Sequence, residues 1–179
     1  MRDQVIEKLA LKHRWILHQN CFDTLSEGIN IIIGENGTGK SNIIEAIGLA
    51  LGEDISFSTD YITKSKNVAI VKVTLSNKSL ILDKYSILKK LYKSGNIKTF
   101  INDDLPENID CLLLDYDSHC FMNQVKLHEF IKNIKEKAKD TQIIIVSQAR
   151  EIIDVADSVF KTERVGEGYT ITSQNKAVA

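Results

Sequence analysis

The chain has 179 residues, of which 23 are Lys or Arg and 24 are Asp or Glu, so its formal net charge is −1. This near-neutral balance excludes a strongly basic nucleic-acid-binding tail and an acidic, disordered chain. With 43% hydrophobic residues and a single proline, residues 1–179 are expected to form one folded domain without low-complexity linkers.

The sequence also favours a particular cellular setting. The N-terminal segment carries charged residues throughout, which is not the pattern of a secretory signal. Apolar runs such as residues 143–146 are far too short to cross a membrane. Cys21, Cys111 and Cys120 show no CxxC spacing, which favours a reduced, intracellular setting over a disulfide framework or a zinc site. We therefore expect a cytoplasmic protein.

The first third of the chain changes from strand to helix patterns. Apolar residues predict strands joined by short turns over residues 5–33. The last strand, residues 29–33, is β-branched and nearly unbroken, as expected for a strand buried on both faces of a sheet. From Ser41 to Leu51 the apolar spacing is helical, and Gly52 supplies a stop signal.

Strands dominate the middle of the chain, and strands alternate with helices near its end. After a polar loop at 53–67, extended segments are predicted at 67–76, 79–93 and 96–102, with turns at 77–78 and 94–96. The remaining predicted elements are a buried strand at 109–114, a helix at 121–139, a buried strand at 142–147, a short helix at 150–156, a hairpin turning at 166–168 and a flexible tail at 173–179. This order predicts an α/β fold with a mainly parallel core sheet flanked by helices and an additional antiparallel β-sheet.

The strongest motif is GENGTGKS, which matches the phosphate-binding loop (P-loop) pattern GxxxxGK[ST] between a buried strand and an amphipathic helix. Its residues are Gly34, Glu35, Asn36, Gly37, Thr38, Gly39, Lys40 and Ser41. Glycines let successive backbone N–H groups turn towards phosphate oxygens. Lys40 would place its charge on the β- and γ-phosphates, and the Ser41 hydroxyl would ligate Mg²⁺. The motif therefore predicts a nucleotide-binding P-loop protein.

A second motif supplies an acid for the metal. The apolar strand CLLLD ends at Asp115, as a Walker B element requires, and its acid is expected at the carboxyl edge of the sheet beside the P-loop. Asp110 is a competing acid, but it precedes the apolar run and would lie at the opposite end. We therefore assign Ser41 and Asp115 as the Mg²⁺ residues.

Residues 28–52, GINIIIGENGTGKSNIIEAIGLALG, closely resemble the P-loop segment of the ATPase heads of structural maintenance of chromosomes (SMC) proteins and their break-repair relatives. Asn42, directly after Gly-Lys-Ser, is typical of that group and is counted among the nucleotide-binding residues. Looser matches are NVAIVKVTLSN, ILKKLYKSGNIKTFIND, CLLLDYDSH and residues 141–173. The resemblance implies an ABC-class ATPase head with ATP and Mg²⁺ as ligands.

The chain departs from the family between the hairpin predicted to end at residue 102 and the Walker B strand. Family heads carry a long coiled coil, a hinge and a helical lobe with an LSGG-type signature in that interval, whereas only residues 103–109 lie there in this chain. Seven residues are too few for a helical lobe, so the signature and the glutamine loop are expected to be absent. The similar-looking LSEG at 25–28 precedes the P-loop and is not that signature.

The catalytic positions also differ. Family heads place a glutamate directly after the Walker B aspartate, but this chain has Tyr116, whose phenol is a poor base with a pKa near ~10. Asp117 and His119 are candidates for the catalytic role, and the alternative is that both only belong to the loop after the strand. Gln148 replaces the switch histidine and is expected to orient a water or bind the γ-phosphate.

Two sets of positively charged residues have two interpretations each. Arg14 aligns with an arginine that some break-repair heads place near the nucleotide phosphates, and an exposed salt-bridging arginine is the alternative. The second hairpin carries lysines interleaved with Tyr85 and Tyr92, which suits contact with DNA phosphates or a solvated strand edge. The lysines are Lys84, Lys89, Lys90, Lys93 and Lys98.

Three functions follow from these features. The first is an SMC-like head that binds ATP·Mg and hydrolyses it slowly or not at all, acting as a homodimer or with a partner head that supplies the signature loop. The second is a catalytically inactive nucleotide-binding module that regulates or docks on a partner. A small-molecule P-loop kinase is disfavoured because residues 53–140 show no arginine-bearing lid.

Overall fold

The structure is a computed structural model that describes residues 4–14, 17–22, 25–53, 62, 66–77, 84–102, 109, 111–116, 124–165 and 168–174. The strands in these ranges are β1 (Gln4–Arg14), β2 (Leu17–Phe22), β3 (Ile29–Gly34), β4 (Val68–Asn77), β5 (Lys84–Tyr92), β6 (Ile97–Asn102), β7 (Cys111–Asp115), β8 (Gln142–Val146), β9 (Ser158–Val165) and β10 (Gly168–Gln174). The helices are α1 (Lys40–Leu51), α2 (Gln124–Lys137) and α3 (Arg150–Ile153).

All of these strands belong to one sheet, in the order β6–β5–β4–β1–β2–β10–β9–β3–β8–β7. The four strands β7, β8, β3 and β9 run parallel, whereas β2, β1, β4, β5 and β6 form an antiparallel series. The two parts join where β10, which is antiparallel to β9, pairs in parallel with β2 at Tyr169 and Leu17. The predicted α/β class is confirmed, and its parallel and antiparallel parts share one sheet.

Apolar strands and helices form a core on each face of the parallel strands. In β3 and β8 successive Ile side chains point to opposite faces of the sheet, so each strand contributes to the core on both faces. The unbroken apolar sequences of these strands predict this burial. The face that carries α1 buries Ile43 and Ile47 against Ile32, and this core continues into the antiparallel strands at Val71. The opposite face packs against α2 and α3, with Ile134 as the buried residue of α2.

Two buried amides hold the segment that precedes the P-loop strand. Gln142, at the start of β8, accepts a hydrogen bond from the Ile6 N–H (2.8 Å) and donates to the carbonyls of Ile6 (3.0 Å) and Ser26 (2.7 Å). Asn30 accepts from the Ser26 N–H (2.7 Å) and donates to the Ser26 carbonyl (2.8 Å). Both amides have no exposed surface. The LSEG segment is thereby anchored directly ahead of the P-loop strand.

Several predicted boundaries change. The two-residue turn expected at 77–78 is wrong, because β4 and β5 pair with Ser76 opposite Lys84, whereas such a turn would place residue 79 there; residue 78 itself lies outside the described residues. Residues 173 and 174, predicted to be flexible, continue β10 because they pair with β9, and the rest of that tail lies outside the described residues. Ile62, within the predicted polar loop, is buried in the α1 core.

Within the described parts of the chain, none of the helices has the length and apolar composition that a bilayer span requires.

Candidate functional site

The P-loop connects the end of β3 at Gly34 to the start of α1 at Lys40. Gly37 and Gly39 adopt φ angles of 78° and 83°, in the left-handed region that favours glycine. Gly39 is also the N-cap of α1, and no side chain caps this helix end. The positive end of the α1 dipole therefore faces the loop, which is the arrangement that favours a phosphate group.

Lys40 lies across the beginning of the loop. Its side chain is 5% exposed, and its Nζ donates to the carbonyl oxygens of Gly34 (2.9 Å) and Glu35 (3.0 Å). These carbonyls hold the ammonium group at the loop instead of letting it extend into solvent. A buried, compact positive charge next to turned backbone amides fits the recognition of phosphate oxygens.

A pair of buried hydroxyls lies beneath the loop. The Oγ1 atoms of Thr38 and Thr162 are 2.7 Å apart, and the two residues are 4% and 1% exposed. Gly34, at φ 152°, leaves the space for this pair, because a Cβ there would lie 2.1 Å from Thr162 Oγ1. Sequence reasoning did not find Thr162, since only the pairing of β9 with β3 brings it to the loop.

Asp115 lies at the same carboxyl edge as the P-loop, but β8 separates the two strands. Asp115 pairs with Val146 of β8, and Val146 pairs on its other side with Ile32 of β3. Two strand spacings place the backbones of β7 and β3 about 10 Å apart. This separation suits a carboxylate that holds Mg²⁺ through water, while Ser41 lies exposed in the first turn of α1.

The residues near this edge fit Mg²⁺ only together with phosphate oxygens. In the described residues, no group of three or more His, Cys, Asp or Glu side chains is arranged to hold a metal ion. Mg²⁺ is commonly bound by one or two protein oxygens, waters and substrate phosphates, and one hydroxyl and one carboxylate at this edge are compatible with that pattern. Asn42 follows on α1 and is buried.

Gln148 is brought to the loop by the end of β8. Its Nε2 donates to Asn36 Oδ1 at 3.1 Å, and both side chains are exposed. The residue two positions after β8 thus contacts the tip of the P-loop, although the two are 112 positions apart in sequence.

The other predicted catalytic residues have different positions. Tyr116, at the place of the family glutamate, is 8% exposed and stacks on Phe130 of α2 with ring centroids 4.7 Å apart. Its ring therefore belongs to the core. Asp117 and His119 lie outside the described residues. Arg14 ends β1, and three strands lie between β1 and the P-loop strand in the sheet order; its side chain is not among the described parts.

A separate cleft of about 420 Å³ lies at the far end of α1. It is lined by Glu53, Lys89, Thr99 and Cys111 among others, at the edge where the parallel strands begin. Burial, with a smaller effect from Glu53, raises the pKa of the Cys111 thiol to about 12. Burial also lowers the pKa of Lys89, whose Nζ donates to the Leu49 carbonyl at 2.6 Å. This cleft is remote from the P-loop.

Comparisons with known proteins agree with this geometry. The sequence profile of the AAA domain family matches residues 14–176. Chromosome partition protein Smc of Bacillus subtilis (strain 168) is 30% identical over 145 residues, covering 69% of this chain and 12% of that protein. The DNA double-strand break repair Rad50 ATPase of Thermoplasma volcanium is 22% identical over 178 residues, covering 95% of this chain and 19% of that protein. The chain thus spans less than a fifth of these relatives.

Solved structures share the fold. A crystal structure of the SmcHead bound to the C-winged helix domain of ScpA superposes with a TM-score of 0.80 at 15% identity, covering 96% of this chain and 98% of that chain. The SMC head domain from Thermotoga maritima gives a TM-score of 0.75 at 15% identity, covering 98% of this chain and 100% of that one.

Proposed function

Because this chain belongs to the AAA domain family and is an SMC-like, ABC-class ATPase head, we propose that it binds ATP·Mg²⁺ at the P-loop and hydrolyses ATP weakly or conditionally. Its relatives are chromosome partition and break-repair proteins. A role in chromosome or DNA maintenance in the cytoplasm is part of the same proposal.

One observation carries the binding proposal: a 5% exposed lysine lies on a loop of left-handed glycines at the start of a helix. A buried ammonium group is stable only with good partners, and here backbone carbonyls provide them. A triphosphate would offer Lys40 stronger, charge-assisted hydrogen bonds. The loop is therefore preorganised for an anion, and the dipole of α1 adds to its affinity.

The residues at the sheet edge divide the remaining tasks. Ser41 and Asp115 would hold Mg²⁺, which when bound neutralises charge on the transferred phosphate. Gln148 would orient a water or contact the γ-phosphate, and its hydrogen bond to Asn36 keeps it at the loop. As a secondary part of the proposal, Arg14 would contact a nucleotide phosphate.

Weak hydrolysis follows from the residue after Asp115. A phenol is protonated at neutral pH and so cannot act as the base. The Tyr116 ring also packs against Phe130. The base would have to be Asp117 or His119. The alternative is an inactive head that uses ATP binding only to dock on a partner. In either case the chain would form a homodimer that uses other residues in place of the signature loop, or dock on a different head that supplies one.

DNA contact is a second candidate function, favoured by one face of the antiparallel strands. Lys90 lies 5.1 Å from the Phe100 ring centroid, and Lys98 lies 5.9 Å from that of Tyr92. Strand pairing places the exposed Lys72 on the same face. The described strands β4, β5 and β6 contain no Asp or Glu. Lysines held on aromatic rings suit DNA phosphates.

Nucleotide titration and turnover assays test the main proposal. The chain should bind ATP·Mg²⁺, and Lys40→Ala should abolish binding, whereas Lys132→Ala on the exposed side of α2 should not change it. Binding with turnover that is lost in Asp117→Ala supports a weak ATPase. Tight binding without turnover supports the docking module, for which size-exclusion profiles with and without ATP should differ. No binding by the native chain would refute the P-loop assignment.

The DNA candidate needs its own experiment. Replacing Lys90 with Glu should reduce the affinity for duplex DNA and flatten its salt dependence, because one phosphate contact is lost. Lys135→Glu on exposed α2 provides a control of equal charge change. Equal affinities of the two variants would exclude this face as the DNA contact.

A further inference from the structure

We propose that Thr162 of β9 is a positioning residue for the phosphate-binding loop, an inference that rests on the proposed ATP-binding function. Thr162 is 124 positions from Thr38 and outside the P-loop motif. It pairs in parallel with Gly34, the last residue of β3, so its side chain arrives where the loop begins. No residue of β9 was a sequence-based candidate for this site.

The contacts form a continuous hydrogen-bonded path from the sheet to the loop. Because Thr38 donates its own proton to the loop, the single proton of Thr162 Oγ1 is shared between Thr38 Oγ1 at 2.7 Å and the Ile33 carbonyl oxygen at 3.1 Å, and the shorter contact is the bond that links β9 to the loop. Thr38 Oγ1 in turn donates to the Glu35 carbonyl at 2.7 Å. Both hydroxyls are almost completely buried, so water does not offer them replacement partners. The path therefore fixes the peptide group between Glu35 and Asn36 relative to β9.

The Glu35 carbonyl is the point at which this path meets Lys40. That oxygen accepts hydrogen bonds from Thr38 Oγ1 at 2.7 Å and from Lys40 Nζ at 3.0 Å. In a planar trans peptide, the direction of the Glu35 carbonyl also sets the opposite direction of the Asn36 N–H. If Lys40 Nζ donates to phosphate oxygens instead of the Glu35 carbonyl, that carbonyl still accepts the hydrogen bond from Thr38 Oγ1. The pair thus holds the loop geometry independently of Lys40.

The steric surroundings make the path specific to these residues. The space beside Gly34 admits the Thr162 hydroxyl but no extra Cβ, which would lie 2.1 Å from Oγ1 and 2.6 Å from the Thr162 carbonyl oxygen. Valine has nearly the shape of threonine but cannot form the hydrogen bond. Thr162→Val therefore removes the bond with little change in packing, and Thr162→Ser keeps the hydroxyl.

Calorimetric titration with ATP·Mg²⁺ tests the positioning role. Thr162→Val should weaken binding about tenfold, because a buried polar partner is lost at the loop. Thr162→Ser should stay within about twofold of the native affinity, and Thr38→Val combined with Thr162→Val should bind no more weakly than the weaker single variant, since the hydroxyls act as a unit. Native-like binding by Thr162→Val, no rescue by Ser, or additive losses would each overturn the inference.

A measurement without nucleotide separates this inference from the proposed function. In the nucleotide-free protein, Thr162→Val should speed amide hydrogen exchange at residues 35–39 by several-fold while β8 exchanges at the native rate. Thr162→Ser should restore slow exchange. Unchanged exchange at the loop would overturn the positioning role, whether or not ATP binds. Failure of the native chain to bind ATP would instead refute the proposed function, with the exchange result still deciding on Thr162.

Discussion

Replacing Gln142 with Leu should be one of the most destabilising single changes in this chain. Gln142 has no exposed surface, and its amide makes hydrogen bonds with the N–H and C=O groups of Ile6 and with the Ser26 carbonyl. Leucine is similar in size but offers no donor or acceptor. Ile6 is also fully buried, so water cannot replace the lost partners.

The magnitude follows from the backbone groups left behind. A buried polar group without a partner costs about 1–3 kcal/mol, and at least two are created, partly offset by the better burial of leucine. We expect a loss of roughly 3 kcal/mol in the free energy of unfolding. For a chain of this size that corresponds to a fall of about 6–12 °C in Tm.

Urea denaturation and differential scanning calorimetry measure the effect. Gln124→Leu, at the exposed start of α2, is the matched control and should change stability by less than about 0.5 kcal/mol. A loss below about 1 kcal/mol in Gln142→Leu would refute the inference that the hydrogen bonds from Gln142 to Ile6 and Ser26 are a major source of stability.

Other predictions concern the loop, the switch glutamine and the remote cleft. Gly34→Ala should reduce ATP affinity more than Gly37→Ala, since a Cβ at position 34 meets Thr162 whereas one at position 37 meets nothing within 4 Å; titration of both variants measures the difference. Gln148→Ala should lower turnover while ATP affinity changes by less than about threefold, and an equal loss of both would assign it to binding alone. Cys111 should resist iodoacetamide at pH 8 in the folded protein, because its pKa is raised to about 12, and peptide mass spectrometry reports its labelling. With the folded pKa above the unfolded one, the protonated thiol stabilises the fold below pH of about 9, and this contribution should be lost as the pH rises towards 12. A Cys111→Ala variant should lack that part of the alkaline decline.

Local spacing explains why part of the site was predictable. The P-loop requires specific residue types within eight positions, and the strand before it and helix after it have clear apolar periods. Lys40 and Gly39 accordingly lie where the motif places them. The family resemblance likewise depended on residues 28–52, which are contiguous.

Pairing between distant strands explains what was missed. Thr162 reaches the loop only because β9 pairs in parallel with β3, and no local pattern in β9 specifies that register. Gln142 was predicted only as the first residue of a strand. Its side-chain amide nevertheless forms hydrogen bonds with the backbone of Ile6 in β1, which is distant in sequence. The end of β10 is set by its partner β9, which is why residues 173–174 differ from the predicted tail.

The place of β8 in the sheet explains why Gln148, which follows it, lies beside the P-loop. β8 lies between the P-loop strand and the strand that ends at Asp115, and both sides of its end are fixed: Ser147 N–H donates to the Ile32 carbonyl (3.2 Å), and Tyr116 N–H donates to the Val146 carbonyl (2.9 Å). The residues that follow such a strand begin between the P-loop and the end of β7 at Asp115. We therefore expect Gln148, which is bonded to the loop, rather than the packed Tyr116, to link phosphate binding to the proposed Mg²⁺ residue Asp115.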